Sequence, residues 1–366
     1  MKADLITLHA IYNYGSVLQA YATQEVFRKY GVDISIINFV REDVLPKNIL
    51  KSNGGTNLLK KMILAPSIYR QSKIFKKFNS SYLNLTKKTY TYEKDFSGYE
   101  SNADFYITGS DQVWNSTWNN GIIKPLYLSF ISGKPKIAYA ASFGKENIDE
   151  FEVKKTQKYI DDYLSISVRE KSAISILKKQ YGYKNCQQIL DPTLVVDKEF
   201  WINLANKGKK YNGYILIYQL NRNSAFDKYA KKIAKEKKLK LLRICRSFHQ
   251  IPLSGKSILN PTVETFVSLF KNAEMVITDS FHALSFCTNL NTKFICIYPE
   301  NFNTRLKSHL ELFDLQDRLL TSYNDFDIYD KEIDWNYVNN KLEIEREKAI
   351  DFINSSIDSI KKRGNL

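Results

Sequence analysis

The sequence is poor in the residues that build metal sites, disulfide frameworks and membrane spans. Its 366 residues include only four cysteines and four histidines, and no two cysteines have the CxxC spacing of a zinc site. Four cysteines in a chain of this length favour a reducing compartment over a disulfide framework. No apolar run approaches the roughly 20 residues of a membrane helix, and the first residues lack a signal-peptide pattern. We therefore expect a cytoplasmic protein without a metal centre, whose only membrane contact is peripheral, at the inner face.

The chain is strongly basic, with a formal net charge of +15. Three explanations remain open: nucleic-acid binding, attraction to an anionic membrane or substrate, and the lysine-rich composition of an AT-rich genome. The lysines are spread in short clusters without a dense basic arm, which argues against a dedicated nucleic-acid protein. Hydrophobic residues make up 43% of the chain, enough for packed cores.

Two series of alternating strand and helix patterns predict an α/β fold with two doubly wound, Rossmann-like lobes facing a cleft. In such sheets ligands bind beyond the carboxyl ends of the strands. A basic amphipathic segment at 58–78 favours either a lid or a peripheral helix. The predicted divisions are a first lobe at 1–190 containing an insertion or lid at 43–99, a crossing segment at 191–211, a second lobe at 212–334, and a final helix at 335–366 that packs back on the first lobe.

Three polar stretches follow predicted strands of the first lobe. Asn13-Tyr14-Gly15-Ser16 opens a helix, where backbone N–H groups attract anions, although an ordinary capped turn is equally consistent; it lacks the G-x-G-x-x-G pattern of a dinucleotide site. Gly109 to Asn115 groups Ser110, Asp111 and Gln112 beside Trp114, a combination typical of sugar binding, with a polar turn and a core Trp as the alternative. Ala140 to Gly144, which includes Ser142, indicates close backbone approach or tight packing.

Two further positions predict anion chemistry. Arg169 ends a strand, where its guanidinium can bind a carboxylate or phosphate, or form a salt bridge with Glu170 or Asp191. In the second lobe, Thr278 to Ala283 joins a strand to a helix, placing Ser280, Phe281 and His282 where a helix start favours phosphate. His282 suits proton transfer, or it is simply packed at a capped helix. Asn303-Thr304-Arg305 opens the next helix and offers a second cation, whereas His249 and His309 are interpreted as surface residues.

These stretches, taken together and in order, resemble the motifs of the polysaccharide pyruvyl transferase family. The resemblance covers nearly the whole chain and is weakest over 43–99; Ala283 stands where a glycine is expected. The segments that carry it are Asn13-Tyr14-Gly15 with Leu18 to Ala22, Gly109 to Asn115, Ile137 to Gly144, Ile166 to Glu170, Leu190 to Thr193, Thr278 to Ala283, Asn303 to Arg305 and Asp334-Trp335.

The resemblance implies a fold like the two-lobed GT-B glycosyltransferases. It implies phosphoenolpyruvate as donor and a glycan-precursor sugar as acceptor, joined as a cyclic pyruvate ketal with release of phosphate. A lipid-diphosphate-linked acceptor would suit the basic surface, and neither cofactor nor metal nor nucleic acid is expected. The alternatives are a GT-B glycosyltransferase with a nucleotide-sugar donor and a non-catalytic binding module. We expect His282, Asp111 and Arg169 to be catalytic, Ser280, Phe281, His282, Arg305 and Arg169 to bind the donor, and Asn13, Tyr14, Gly15, Ser110, Gln112, Trp114 and Ser142 to bind the acceptor.

Overall fold

A computed structural model describes residues 1–299 and 304–364. The helices and strands alternate in the way the sequence predicts for an α/β fold. None of the described helices combines the length and apolarity needed to cross a bilayer. In chain order the elements are β1 Lys2–Ile6, α1 Tyr14–Lys29, β2 Asp33–Phe39, α2 Pro46–Gly54, α3 Leu58–Tyr82, β3 Leu85–Tyr90, β4 Phe105–Thr108, β5 Lys136–Ala141, α4 Glu150–Ile160, β6 Ser165–Val168, α5 Lys171–Lys179, β7 Cys186–Gln188, α6 Pro192–Val195, α7 Lys198–Ala205, β8 Tyr214–Tyr218, α8 Ser224–Glu236, β9 Lys240–Cys245, β10 Lys256–Leu259, α9 Val263–Lys271, β11 Met275–Thr278, α10 Phe281–Leu290, β12 Phe294–Cys296, α11 Thr304–Leu312 and α12 Trp335–Gly364.

The chain forms two compact units. The first comprises Met1–Val44, Asn79–Val196 and the residues from Glu343 onward, and the second comprises Leu45–Phe78 and the described part of Asp197–Leu342. This division differs from the predicted one, because 43–99 is not a single insertion in the first lobe. Strand β3 pairs with β2 in the first unit, whereas Ser67 of α3 donates a hydrogen bond to the Arg246 carbonyl of the second, 3.1 Å away.

Each unit is built on one parallel sheet in the described residues. The first sheet has seven strands in the order β3-β2-β1-β4-β5-β6-β7, and the second has five in the order β10-β9-β8-β11-β12. Strands β4, β5, β8 and β11 are buried along their whole length, as expected for parallel strands covered on both faces. The doubly wound α/β fold class predicted from the sequence is confirmed.

The order of the strands reverses once in each sheet. In the first, the chain starts at β1, builds outward to β3 and resumes on the other side at β4; in the second, it starts at β8 and resumes at β11. The loops after these paired strands diverge, which opens a crevice at the carboxyl ends. Ligand sites are therefore expected between β1 and β4 and between β8 and β11.

The end of the chain belongs to the first unit. Arg346 of α12 donates hydrogen bonds from Nε to the Leu194 carbonyl and from Nη2 to the Val196 carbonyl, at 2.8 and 2.9 Å. Further along, Phe352 packs its ring 6.3 Å from that of Tyr139, and Ser356 bonds Ser165 at 2.9 Å. These contacts bury one side of the helix against β5, β6 and α6.

Candidate functional site

The switch point of the first unit gathers polar side chains from the loops after β1 and β4. Asp111 is the centre of this group. Its Oδ2 accepts a hydrogen bond from Ser16 Oγ at 2.5 Å, and its Oδ1 accepts bonds from the Gln112 amide at 2.9 Å and from Arg169 Nη2 at 3.1 Å. Asp111 also has a φ of 76°, a left-handed conformation that costs most residues about 1–3 kcal/mol unless the surroundings impose it. The carboxylate is thus held rigidly at the sheet edge.

Arg169 connects Asp111 to a second carboxylate. Its Nη1 donates to Asp191 Oδ2 at 2.7 Å, and its side chain is fully buried. Ser110 Oγ donates to that same Asp191 oxygen at 2.9 Å. Burial lowers the pKa of Arg169, but the carboxylates of Asp191, Asp111 and Glu170 outweigh this effect. The pKa is therefore raised, and the guanidinium stays charged.

These contacts weigh against donor binding by Arg169, an assignment that stays a prediction. A guanidinium enclosed by two carboxylates has its charge compensated within the protein, so it has little attraction left for a doubly anionic ligand. The salt bridge to Asp191, which the sequence left as the alternative, is the arrangement observed. Arg169 belongs to the first unit, whereas His282 and Arg305 belong to the second, so the predicted convergence of the three stays a prediction.

Ser142 and Gln112 are also held by partners within the first unit. Glu170 Oε1 accepts hydrogen bonds from Ser142 Oγ and from the amides of Phe143 and Gly144, at 3.0 to 3.1 Å. Gln112 Oε1 accepts a bond from Asn115 Nδ2 at 2.7 Å. Gly144 has a φ of 62°, and a Cβ there would lie 2.3 Å from Gln112 Oε1. The glycine therefore makes room for the Gln112–Asn115 pair.

Two aromatic residues expected to bind the acceptor are core residues. Trp114 is 1% exposed; its ring stacks on Tyr127 with centroids 5.6 Å apart, and its Nε1 donates to the Leu126 carbonyl. Tyr14 is 2% exposed. Neither ring can present a face to a sugar, so these two assignments are wrong.

In the turn Asn13-Tyr14-Gly15-Ser16, the predicted residues Asn13 and Gly15 form the cap of a helix. Asn13 Oδ1 accepts a hydrogen bond from the Gly15 amide at 2.9 Å and begins α1. Gly109 allows the backbone to approach β1 closely, since a Cβ there would lie 2.8 Å from Leu5 Cδ1. Sequence reasoning overlooked Ser16 as a site residue, although it closes the quoted motif.

The switch point of the second unit is organised around Asp279, which directly follows β11. Its Oδ1 accepts a hydrogen bond from the Leu220 amide at 2.7 Å, and its Oδ2 accepts bonds from the amide and the Nδ2 of Asn221 at 2.8 and 3.0 Å. Burial raises the pKa of Asp279 although these hydrogen bonds lower it. The carboxyl group ties the loop after β8 to the start of α10 and so shapes the crevice.

The start of α10 presents the groups predicted to bind a phosphate. Ser280 is the N-cap and its Oγ accepts from the Ala283 amide at 3.5 Å. His282 lies in the first turn and is 7% exposed, with its ring 5.4 Å from that of Phe281. The Arg305 guanidinium carbon lies 5.9 Å from the centroid of the same Phe281 ring. The structure thus brings His282 and Arg305, which are 23 positions apart by their numbers, to one aromatic ring at a helix N-terminus.

The other histidines have different surroundings. His309 is 3% exposed and its Nε2 bonds Thr288 Oγ1 at 2.9 Å, so its assignment to the surface is wrong. His249 is exposed, as expected. His9, beyond β1, is buried, and burial lowers its pKa to about 4. Asn303, predicted to open α11, lies outside the described residues.

Metal-binding side chains do not cluster in the described part of the chain. No group of three or more His, Cys, Asp or Glu residues there is placed to hold a metal ion. Metal-independent activity accordingly stays a prediction to be tested.

The fold is shared with solved structures of other two-sheet α/β proteins. A Listeria monocytogenes protein assigned as a UDP-N-acetylglucosamine 2-epimerase superposes with a TM-score of 0.55 at 10% identity, over 98% of this chain and 97% of that one. The UDP-N-acetylglucosamine 2-epimerase of Rickettsia bellii gives a TM-score of 0.52 at 12% identity, over 99% and 98%. At such identities the similarity shows the GT-B-like fold alone.

The sequence itself identifies the family. A profile of the polysaccharide pyruvyl transferase family matches residues 13–301, a range that includes Asp111, Arg169 and the start of α10. The chain belongs to that family. A search of curated proteins finds no match.

Proposed function

We propose that the protein transfers the enolpyruvyl group of phosphoenolpyruvate to two hydroxyls of a sugar in a glycan precursor, forming a cyclic ketal and releasing phosphate. The observation that carries the proposal is the start of α10, where His282 and Arg305 meet at Phe281 in a chain of the pyruvyl transferase family.

The second unit is proposed to bind the donor. Phosphoenolpyruvate carries a phosphate and a carboxylate, so its site needs more than one source of positive potential. The N-terminus of α10 provides oriented N–H groups, while Arg305 and His282 provide a guanidinium and an imidazole beside them. Asp279 does not oppose this attraction strongly, because its carboxyl group is already hydrogen-bonded to Leu220 and Asn221.

The first unit is proposed to bind the acceptor. Its switch point offers hydrogen-bonding groups with an excess of negative charge, because the single guanidinium of Arg169 lies between the two carboxylates of Asp111 and Asp191. Such a surface suits the neutral hydroxyls of a sugar better than an anion. Asp111 is the member of the network positioned to accept a proton, because its side chain retains 8% exposure whereas those of Arg169 and Asp191 are fully buried.

The chemistry requires one proton donor and one proton acceptor. A proton is added to the methylene carbon of phosphoenolpyruvate, which becomes a methyl group and leaves the adjacent carbon electrophilic. A sugar hydroxyl attacks that carbon and gives up its proton. A second hydroxyl then displaces phosphate, closes the ketal ring and gives its proton to the leaving phosphate, so the two hydroxyl protons balance the one added to carbon and the one carried away by phosphate. We assign proton donation, or stabilisation of the leaving phosphate, to His282, and assign Asp111 to the sugar hydroxyl.

The direct test is to incubate the protein with phosphoenolpyruvate and a panel of glycan precursors, both free and lipid-diphosphate-linked. Mass spectrometry should find an acceptor that gains one pyruvyl ketal, with one phosphate released for each. The same panel offered with nucleotide sugars tests the glycosyltransferase alternative, and transfer of a sugar instead of the pyruvyl group would replace the proposal. Full activity in EDTA is expected; a loss that magnesium restores would show that a metal takes part.

A further inference from the structure

The first turns of α3 expose a cluster of large apolar side chains. Leu58, Leu59, Met62 and Ile63 are 71%, 67%, 65% and 57% exposed, and we call them the apolar patch. Single exposed apolar residues are ordinary on a protein surface. Four adjacent ones at the free end of a helix mark a surface that contacts something apolar.

The patch continues along one face of the helix into basic residues. At 100° per residue, the exposed side chains of Tyr69 and of the basic row Arg70, Lys73, Lys76 and Lys77 lie on the same side as the patch, whereas the buried Ile68, Ser72 and Phe75 lie on the opposite side. The helix is therefore anchored in its own unit by one face and presents the other, apolar at one end and cationic at the other.

The sequence segment that contains this helix carries charge of a single sign. Between Val44 and Tyr92 the sequence contains ten Lys or Arg residues and neither Asp nor Glu. A groove of about 270 Å³ beside the helix is lined by the basic residues Arg70, Lys73 and Lys77 together with Ile74, Phe78, Thr262 and Glu264. The groove thus combines basic with apolar side chains.

We propose that this face of α3 docks on the surface of a bilayer containing anionic phospholipid. The apolar patch enters the boundary between headgroups and acyl chains, and the basic row binds headgroup phosphates, the arrangement found in amphipathic helices that lie on membranes. A second copy of the chain fits poorly, because two such faces would bring like charges together. Nucleic acid would leave the apolar patch in water. The inference does not depend on the proposed reaction.

Co-sedimentation with vesicles tests this proposal. The full-length protein should bind vesicles of equal parts phosphatidylcholine and phosphatidylglycerol and lose that binding on pure phosphatidylcholine and in high salt. The double variant Leu58→Asp/Met62→Asp should bind at least about tenfold more weakly, because the patch loses its apolar contact with lipid. Both positions are exposed, so the folded state is expected to persist, and the melting temperature of the variant checks this.

The matched control is Phe151→Asp/Ile344→Asp, which places the same two charges at exposed apolar positions of the first unit, 66% and 52% exposed; its vesicle binding should equal that of the wild type. Lys73→Gln and Lys76→Gln should each weaken binding about fivefold, whereas Lys228→Gln and Lys231→Gln on α8 should not. Equal binding by the patch variant and the Phe151/Ile344 control would overturn the proposal. The proposal would also be overturned if the wild type self-associated in sedimentation velocity and bound no vesicles, and if the patch variant abolished that self-association.

Discussion

At the switch point of the first unit a guanidinium is enclosed by carboxylates, whereas at that of the second a carboxylate is enclosed by amides. Arg169 donates to Asp111 and Asp191, and Asp279 accepts from Leu220 and Asn221. The sheets have the same kind of strand reversal, so the fold does not account for the difference. The side chains placed on the two crevices do.

The difference implies that the two crevices bind different kinds of ligand. A network of one guanidinium and two carboxylates is rigid and carries net negative charge, which disfavours an anion and suits the recognition of hydroxyls. A crevice in which the acidic group is occupied by backbone amides leaves a helix N-terminus, His282 and Arg305 to set the local potential, which suits an anion. The predictions below test this contrast.

Removal of the enclosed cation should have the largest effect. Arg169→Met leaves Asp111 and Asp191 buried beside each other without a counterion, and should lower the free energy of unfolding by about 3–5 kcal/mol. The control is Arg28→Met, which removes a partly exposed guanidinium paired with Glu25 and should cost at most about 1 kcal/mol. Chemical denaturation of both variants measures the two losses; equal losses would show that the network is not the rigid part of the first unit.

Protonation of the buried His9, which lies beyond β1, should destabilise the first unit as the pH falls. Burial lowers the pKa of His9 to about 4 from 6.5, so as the pH falls the unfolded chain binds this proton first. The wild type should therefore lose about 3 kcal/mol of stability between pH 7 and pH 4 that His9→Gln does not lose. Denaturation of both proteins across this range gives the difference. If the stability of both proteins falls equally with pH, the pKa of His9 is the same in the folded and the unfolded chain.

The second unit should respond in activity more than in stability. His282→Ala should slow phosphate release by about a hundredfold or more if the imidazole transfers a proton. His249→Ala, at an exposed position, is the control and should keep the wild-type rate. Near-normal release by the His282 variant would remove this residue from the mechanism.

The smallest effect is expected at the cap of α10. Ser280→Ala removes the hydrogen bond to the Ala283 amide, which is long at 3.5 Å, and should cost about 0.5–1 kcal/mol, toward the low end for a lost cap. Thr262→Ala at the cap of α9, where the bond is 3.2 Å, is the comparison. If Ser280→Ala lowered the free energy of unfolding as much as Arg169→Met, the two crevices would depend equally on hydrogen bonds and ion pairs within the protein.

The buried parts of the fold could be predicted from the sequence, and its edges could not. The apolar runs at 105–108, 214–218 and 275–278 predict strands that coincide with β4, β8 and β11, because strands covered on both faces must be apolar throughout. Two edge strands carry no such signal: β3 contains Lys87 and Lys88, and β10 begins at Lys256. No strand is predicted at either. The assignment of 43–99 to one lobe differs from the structure because Leu45–Phe78 belongs to the second unit, and local patterns do not encode the tertiary contacts that place it there.

At the site, the sequence indicates which residues follow strands but not what each one contacts. Asp111 and His282 lie at the two switch points as their positions predict. Whether Trp114 covers a sugar or fills a core depends on Tyr127 and Phe143, which other elements supply. The pairing of Arg169 likewise depends on Asp111, 58 residues away. Such partners are set by tertiary packing, which local patterns do not encode.

Calorimetric titration with phosphoenolpyruvate tests most directly whether the second unit holds the anion. The account predicts that Arg305→Gln and His282→Ala each weaken binding about tenfold or more, as expected for the loss of a charged hydrogen-bonding group, and that Ser142→Ala in the first unit leaves the affinity unchanged. Wild-type affinity in both second-unit variants, together with lost binding in Ser142→Ala, would contradict it.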